Sequence, residues 1–194
     1  ATEEASHAGK HGFMKFFSEN ALGGKRAFFG LKKMEDDIID FGLDLLNGPA
    51  GSGGMTSTGG SESILIGVKA ARDFARSQGC TGDAFNIVVP YSAHPAFNKA
   101  GGLMDIEVRR ANIGVDLRAD VDSMETMIDK QTIMLVGSAP CFPHGVVDPI
   151  DDISVLAQKW DIWLHVDACV GGYLIPFLQK AGRSIPNFDF NFSG

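Results

Sequence analysis

Asp161-Ile162-Trp163-Leu164-His165-Val166-Asp167-Ala168 is a short apolar run that ends on a carboxylate followed at once by a small residue. It is too short for an ordinary helix and has the composition of a strand buried in a parallel sheet. Two upstream segments, Asn86-Ile87-Val88-Val89 and Thr132-Ile133-Met134-Leu135-Val136, read the same way. Helical patterns lie between them. Asp120 is placed to cap a helix carrying Met124, Met127 and Ile128, and Asp148-Pro149 opens another that runs through Val155 and Leu156 to Lys159. Strand, helix, strand, helix, strand predicts an α/β fold whose crossover helices join parallel strands.

Further upstream, Met34, Ile38, Phe41 and Leu45 recur at helical spacing, and Asn47-Gly48-Pro49 supplies a stop, so 33–47 reads as an amphipathic helix. Gly51-Ser52-Gly53-Gly54 is a flexible approach to a second helix over 61–78. Its apolar face is Ile64, Val68, Ala71 and Ala75, and Gly79 is a natural C-terminal cap. Lys69, Arg72 and Asp73 read as a solvated surface of that helix. Residues 1–12 show little periodicity and are expected to form a mobile lead-in or an arm resting on another subunit.

The chain has 194 residues, 44% of them hydrophobic and 21% charged, which suits one sizeable core and one domain or most of one. A net charge of -7, with no Lys/Arg run interleaved with aromatics, argues against nucleic acid as a partner. No apolar stretch approaches the roughly 20 residues that cross a bilayer, and the first residues lack the apolar core of a signal peptide. Cys80, Cys141 and Cys169 are odd in number and widely spaced, so neither a disulfide framework nor a zinc site is indicated. These features predict a soluble protein in a reduced cytoplasm. His7 and His11 have the helical spacing of a metal pair, but Gly9 lies between them and no third ligand is near, so no metal is expected.

Four motifs stand where apolar runs meet helices or loops. Thr58-Gly59-Gly60-Ser61 precedes a helix whose first amides, partial positive charge and hydroxyls suit an anion, best a phosphate. A P-loop fails because Gly60 stands where lysine should be, and a Gly-x-Gly-x-x-Gly reading from Gly51 fails at Thr56. A plain helix cap remains the alternative. His94, in Ser92-Ala93-His94, suits stacking on an aromatic cofactor or acid–base work, or is a loop histidine bonded to backbone. Ser138, in Gly137-Ser138-Ala139-Pro140, suits a hydrogen bond to a cofactor oxygen or substrate carboxylate, or is a loop serine. His144, in Phe142-Pro143-His144-Gly145, is a second candidate for proton transfer, against a simple turn histidine.

Asp167 says most. A carboxylate at the carboxyl end of a buried parallel strand is costly unless paired, and ligands gather at that end of an open α/β sheet. Paired with a pyridine nitrogen, it keeps that nitrogen protonated and makes the ring an electron sink. The ring that fits is pyridoxal phosphate, with Ala168 leaving room for its face. The alternative is an aspartate capping the turn through Gly171-Gly172.

With these residues in place, the chain resembles the sphingosine-1-phosphate lyase branch of the pyridoxal-phosphate-dependent group II decarboxylases. The resemblance spans residues 25–194 and is strongest over Met55 to Asp73, Ser92 to Lys99, Gly137 to Pro149 and Leu164 to Gly182. It implies a lead-in over 1–24 and a partial large domain of fold type I over 25–194, a mostly parallel sheet with helices on both faces. It implies that Gly59, Gly60 and Ser61 hold the cofactor phosphate, His94 stacks on the ring, Asp167 pairs with its nitrogen, and Ala168 packs beneath it. Ser138 would lie beside the ring oxygen or the substrate. The implied enzyme is a homodimer that cleaves a phosphorylated long-chain amino alcohol to a fatty aldehyde and phosphoethanolamine. An amino-acid decarboxylase and a non-catalytic interaction module are the other expectations. The family's Schiff-base lysine sits in a Ser-x-x-x-His-Lys-like motif expected about ten residues beyond Phe192-Ser193-Gly194, so a truncated domain, inactive alone, is expected.

Overall fold

A computed structural model of the chain describes residues 2–18, 28–80 and 84–191. The boundary expected between 24 and 25, and the segment Phe192-Ser193-Gly194, lie outside the described residues. The chain divides into two compact units, Ala1–Phe41 and Gly42–Gly194.

In the first unit, helix α1 (Glu3–Phe16) occupies the stretch where a mobile lead-in was expected. Local chemistry explains the difference. The Thr2 hydroxyl accepts the Ala5 amide at 3.2 Å, and Glu3 and Glu4 lie in the first turn, where the helix dipole favours them. None of its residues is buried, which is why no apolar periodicity announced it. Helix α2 spans Phe29–Leu45, with Lys32 pairing to Asp36 and Lys33 to Asp37 one turn on. Of its expected apolar face only Leu45 is buried; Met34, Ile38 and Phe41 are exposed.

Helix α3 (Gly60–Ser77) buries Ile64, Val68, Ala71 and Ala75, the face its spacing predicts. It stops as Gly79 turns left-handed, at φ 84°, so that the Gly79 and Cys80 amides reach the carbonyls of Arg76 and Ala75. Four parallel strands follow: β1 (Asn86–Pro90), β2 (Glu107–Ala111), β3 (Thr132–Ser138) and β4 (Trp163–Asp167), in the order β2-β1-β3-β4. Helix α4 (Ala96–Met104) joins β1 to β2, α5 (Val121–Thr126) precedes β3, α6 (Ile150–Trp160) joins β3 to β4, and α7 (Ile175–Lys180) comes last.

Alternation along the strands sends Ile87, Val89, Met134 and Val136 to the face covered by α3 and α4. Val88 and Leu135 point to the other face, where Met124, Ile153 and Leu156 of α5 and α6 meet them. The sheet is thus packed on both faces, as the α/β pattern requires. The α4 crossover leads away from β1 in one direction and the α6 crossover leads away from β3 in the other. The carboxyl ends of β1 and β3 therefore flank a topological switch point, the place where open α/β sheets hold ligands.

Besides α1, two elements were not legible in the hydrophobic pattern. Strand β2, Glu107-Val108-Arg109-Arg110-Ala111, is polar because its arginines bond partners elsewhere in the fold. Arg109 bonds Asp129 at 2.7 Å and Glu107 at 2.9 Å, and Asp129 also accepts from Asn86 at 2.9 Å and from the Gln131 amide at 2.8 Å. Burial works to raise the Asp129 carboxyl, but the bonds from Arg109, Asn86 and Gln131 outweigh it and hold it at about 2. Helix α4 contains Gly101 and Gly102, poor helix formers, yet Gly101 is needed: a Cβ there would come within 2.6 Å of the Ile106 carbonyl oxygen. Strand β4 is half-buried rather than buried, since it is an edge strand among the described residues. Asp120 caps α5 as its position predicts, accepting the Ser123 amide at 3.0 Å. Asp148 caps nothing; its side chain turns inward. No helix among the described residues is long and apolar enough to cross a membrane.

Candidate active site

Register places Ser138 and Asp167 opposite each other at the carboxyl ends of β3 and β4, and the Ala139 amide donates to the Asp167 carbonyl at 2.9 Å. Neighbouring strands lie about 4.8 Å apart, so the two side-chain positions share one end of the sheet. Asp167 Oδ1 accepts the Cys169 amide at 3.1 Å, a local turn that orients the carboxylate. Along β4, Trp163 meets Phe74 of α3 and His165 meets Phe97 of α4 in an edge contact at 5.7 Å. Alternation puts Asp167 on that same face. Burial keeps the His165 imidazole below its ordinary pKa, so it is a neutral core group rather than an acid.

The α3 N-terminus lies against this corner. A Cβ on Gly60 would sit 3.0 Å from Cys169 Sγ, so glycine permits the approach. Glu62 accepts the Thr58 amide at 2.6 Å and the Thr58 hydroxyl at 2.5 Å, bonds that hold its carboxyl below the usual range. Ser57 and Ser63 bond each other at 2.6 Å. The first intrahelical bond runs from the Ser63 amide to the Gly59 carbonyl, so the Gly60 and Ser61 amides precede the helical ladder. Thr58 is thereby occupied, and the first-turn amides are what the helix offers an anion. An open cleft beside them also carries Lys99, a cation that spacing rules did not single out.

His94 stands between β1 and α4. Its Nδ1 accepts the Ala96 amide at 3.1 Å, which places the proton on Nε2, and its ring meets Phe142 edge-on at 6.0 Å. That contact joins the loop after β1 to the loop after β3. Next to His94, the Ser92 hydroxyl is buried with no hydrogen-bond partner among the described residues. Ser92 carries no signal of its own in the sequence; only its burial singles it out.

Gly60, Ser61, His94, Ser138 and Asp167 are thus brought to one corner of the fold by contacts through Cys169, Phe142 and the β3–β4 ladder. Ala168 is placed otherwise than expected. Its methyl packs on the cluster of Ala139, Val147, Ile150, Ile175 and Phe188, because successive residues face opposite sides, and the side chain turned toward Gly60 is that of Cys169. His144 lies exposed in the turn after Cys141. Among the described residues no group of His, Cys, Asp and Glu is arranged to hold a metal ion.

Residues 31–194 match the pyridoxal-dependent decarboxylase conserved domain. The chain belongs to this family. Its cofactor is pyridoxal phosphate. Sphingosine-1-phosphate lyase 1 of Mus musculus is 43% identical over 168 residues, which are 86% of this chain and 29% of that protein. A probable L-tyrosine/L-aspartate decarboxylase of Methanothermobacter thermautotrophicus is 36% identical over 178 residues, 92% of this chain and 47% of that protein. The solved sphingosine-1-phosphate lyase of Burkholderia pseudomallei superposes with a TM-score of 0.93 at 35% identity, covering all of this chain and 46% of that one. The chain therefore spans less than half the length of these relatives.

The α/β unit has the fold-type-I architecture of these relatives and covers part of it. One group there has an immediate chemical consequence. Burial and the neighbouring Asp167 carboxylate push the Cys169 thiol up to about 11. At pH 8 alkylation of Cys169 by iodoacetamide is expected to run roughly a hundredfold slower than for a free cysteine, since reaction needs the thiolate. Asp167→Asn should restore only part of the lost rate, because burial, the larger cause, remains; mass spectrometry of the labelled peptides reads it. Labelling of Cys169 at the free-cysteine rate in the unaltered chain would contradict this.

Proposed function

We propose that this corner is the ring- and phosphate-binding half of a pyridoxal phosphate site, in an enzyme that cleaves a phosphorylated long-chain amino alcohol to a fatty aldehyde and phosphoethanolamine. The observation that carries the reading is the placement of His94, Ser138 and Asp167 at the carboxyl ends of β1, β3 and β4, beside the switch point, with the α3 N-terminus against Cys169. The chain's groups suit the cofactor. Free amides at Gly60 and Ser61 match its phosphate, a half-buried carboxylate matches its ring nitrogen, and the Ser92 hydroxyl is a buried polar group still in need of a partner.

Gly59, Gly60 and Ser61 would hold the phosphate, His94 the ring face, Asp167 the ring nitrogen, and Ser138 the ring oxygen or the substrate. When bound, the protonated ring supplies an electron sink for a carbanion formed beside the substrate amine. The chain's own contribution is to keep that ring nitrogen protonated and the ring fixed. With Nδ1 engaged by the Ala96 amide, His94 has Nε2–H to present. His144, exposed beside Phe142, would exchange protons at the mouth of the site, where a leaving group is still wet.

A homodimer belongs to this reading. Phe142, Val170, Tyr173 and Leu174 are more than half exposed around the loops after β3 and β4, an apolar surface suited to a second subunit. A cytoplasmic site of action is part of the same proposal. The lyase branch is favoured over amino-acid decarboxylation by identities of 41–44% over 86% of this chain to several sphingosine-1-phosphate lyases. The Methanothermobacter relative keeps decarboxylation as the second reading. The test is a product assay on the protein made from the complete reading frame that contains this chain. Fatty aldehyde and phosphoethanolamine from the phosphorylated amino alcohol support the lyase; carbon dioxide released from an amino acid, with no aldehyde, would sink it.

A further inference from the structure

Arg110 is a cation in a polar strand that the site described above does not use. It sits on β2 opposite Val89 of β1, and among the described residues it pairs with no carboxylate. Its guanidinium reaches over the end of β1 instead. Nη1 donates to the carbonyls of Pro90 at 3.2 Å, Tyr91 at 2.9 Å and Ala93 at 3.0 Å, while Nε and Nη2 both donate to Asn98 Oδ1 in the first turn of α4, Nε at 3.2 Å. Burial pulls its pKa below the ordinary arginine value, so these carbonyls replace much of its water.

The gripped segment is the loop that carries Ser92 and His94. Both of its ends are held by the one guanidinium, the β1 exit through three carbonyls and the α4 entry through Asn98. The Tyr91 amide also donates to the Ala111 carbonyl of β2 at 2.8 Å, and the loop's own backbone bonds are short turns, such as those from the Ala93 amide to the Pro90 carbonyl at 3.0 Å and from the Phe97 amide to the His94 carbonyl at 3.2 Å. The Ser92 hydroxyl contributes nothing, being buried without a partner. A loop so weakly tied from within takes its shape from the clamp outside it. That shape sets the Ala96 amide against His94 Nδ1, and so sets both the tautomer and the plane of the imidazole.

We infer that Arg110 is a positioning residue for His94, acting through the β1–α4 loop rather than by touching cofactor or substrate. The inference rests on the reading of His94 as the group that faces the cofactor ring. Lysine cannot replace it, because a point-like ammonium does not bridge three carbonyls and a carboxamide at once as a planar five-donor fork does.

The experiment compares the unaltered chain with Arg110→Lys and Asn98→Ala. Nitrogen-15 NMR reads the His94 tautomer without cofactor, titration with pyridoxal phosphate reads affinity, and thermal melting reads the fold. The unaltered chain is expected to show a single Nε2–H tautomer. Arg110→Lys should give a tautomer mixture and about tenfold weaker cofactor binding, with Asn98→Ala between the two. A single tautomer kept in Arg110→Lys, whatever its melting temperature, would overturn the inference, as would cofactor affinity within twofold. If the unaltered chain binds no cofactor, the functional reading fails, while the tautomer comparison still decides the role of Arg110.

Discussion

Asp167→Ala is expected to weaken pyridoxal phosphate binding about 100-fold, the equivalent of about 3 kcal/mol, which is the usual cost of removing one partner from a buried, hydrogen-bonded charge pair. β4 delivers the carboxylate to the carboxyl edge of the sheet, and the Cys169 amide takes one oxygen and fixes its orientation. Cys169, which that turn positions, lies against Gly60 of the α3 N-terminus. Without the carboxylate a pyridine nitrogen loses both its hydrogen bond and the charge that keeps it protonated. Asp167→Asn separates these two losses, since it keeps a similar shape but neither charge nor proton affinity. It should bind with intermediate affinity and show the absorbance of an unprotonated ring. Equal affinity in the alanine variant and the unaltered chain, measured by equilibrium dialysis, would remove the central support for the site.

Asp148→Ala is expected to cost about 2–4 kcal/mol of stability and lower the melting temperature by roughly 5–15 °C. Asp148 is completely buried. Its Oδ1 accepts the Ala119 amide and its Oδ2 the Ser138 amide, both at 2.8 Å, so alanine strands two buried donors at once. One of them belongs to Ser138, so the change also loosens the end of β3 beside Asp167. Burial, opposed by the two amide bonds, holds the Asp148 carboxyl above its ordinary range. A raised carboxyl in the folded state contributes stability below the ordinary carboxylate pKa and loses it as pH rises through the raised value. Asp148→Asn, which cannot ionise, should therefore flatten that decline in a urea melt followed from pH 4 upward. A decline of unchanged slope would show that another group is responsible.

Strand β1, β3 and β4 were readable because apolar side chains enter both faces of a packed parallel sheet and leave continuous runs, as Val88 and Val89 do. The α3 face and its glycine stop were readable for an equally local reason. Strand β2 was not, because Arg109 and Arg110 serve partners 17–20 residues away, Asp129 and the β1–α4 loop, and no spacing rule encodes that. Helix α1 was missed because it buries nothing and is held by a cap and charges alone.

The candidate site divides in the same way. Asp167, His94, Ser138 and Gly60 carry their signals locally, each being a polar or small residue where a strand or helix ends, so residue type and position alone nominate them. Ala168 and Cys169 could not be told apart by that rule. Which of the two turns toward Gly60 depends on the exact residue at which β4 stops alternating, and the packing of Ala168 on the cluster of Ile150 and Ile175 leaves that place to Cys169. The same holds for Asp148, which looks like a helix cap in sequence and is spent on two distant amides in space. The chain by itself determined a parallel α/β sheet and the residues at its carboxyl edge, because backbone periodicity and end-capping are short-range physics. Only the tertiary structure decided which of those residues meet and which others, Arg110 and Ser92 among them, surround them, because hydrogen bonds between elements leave no period in the sequence.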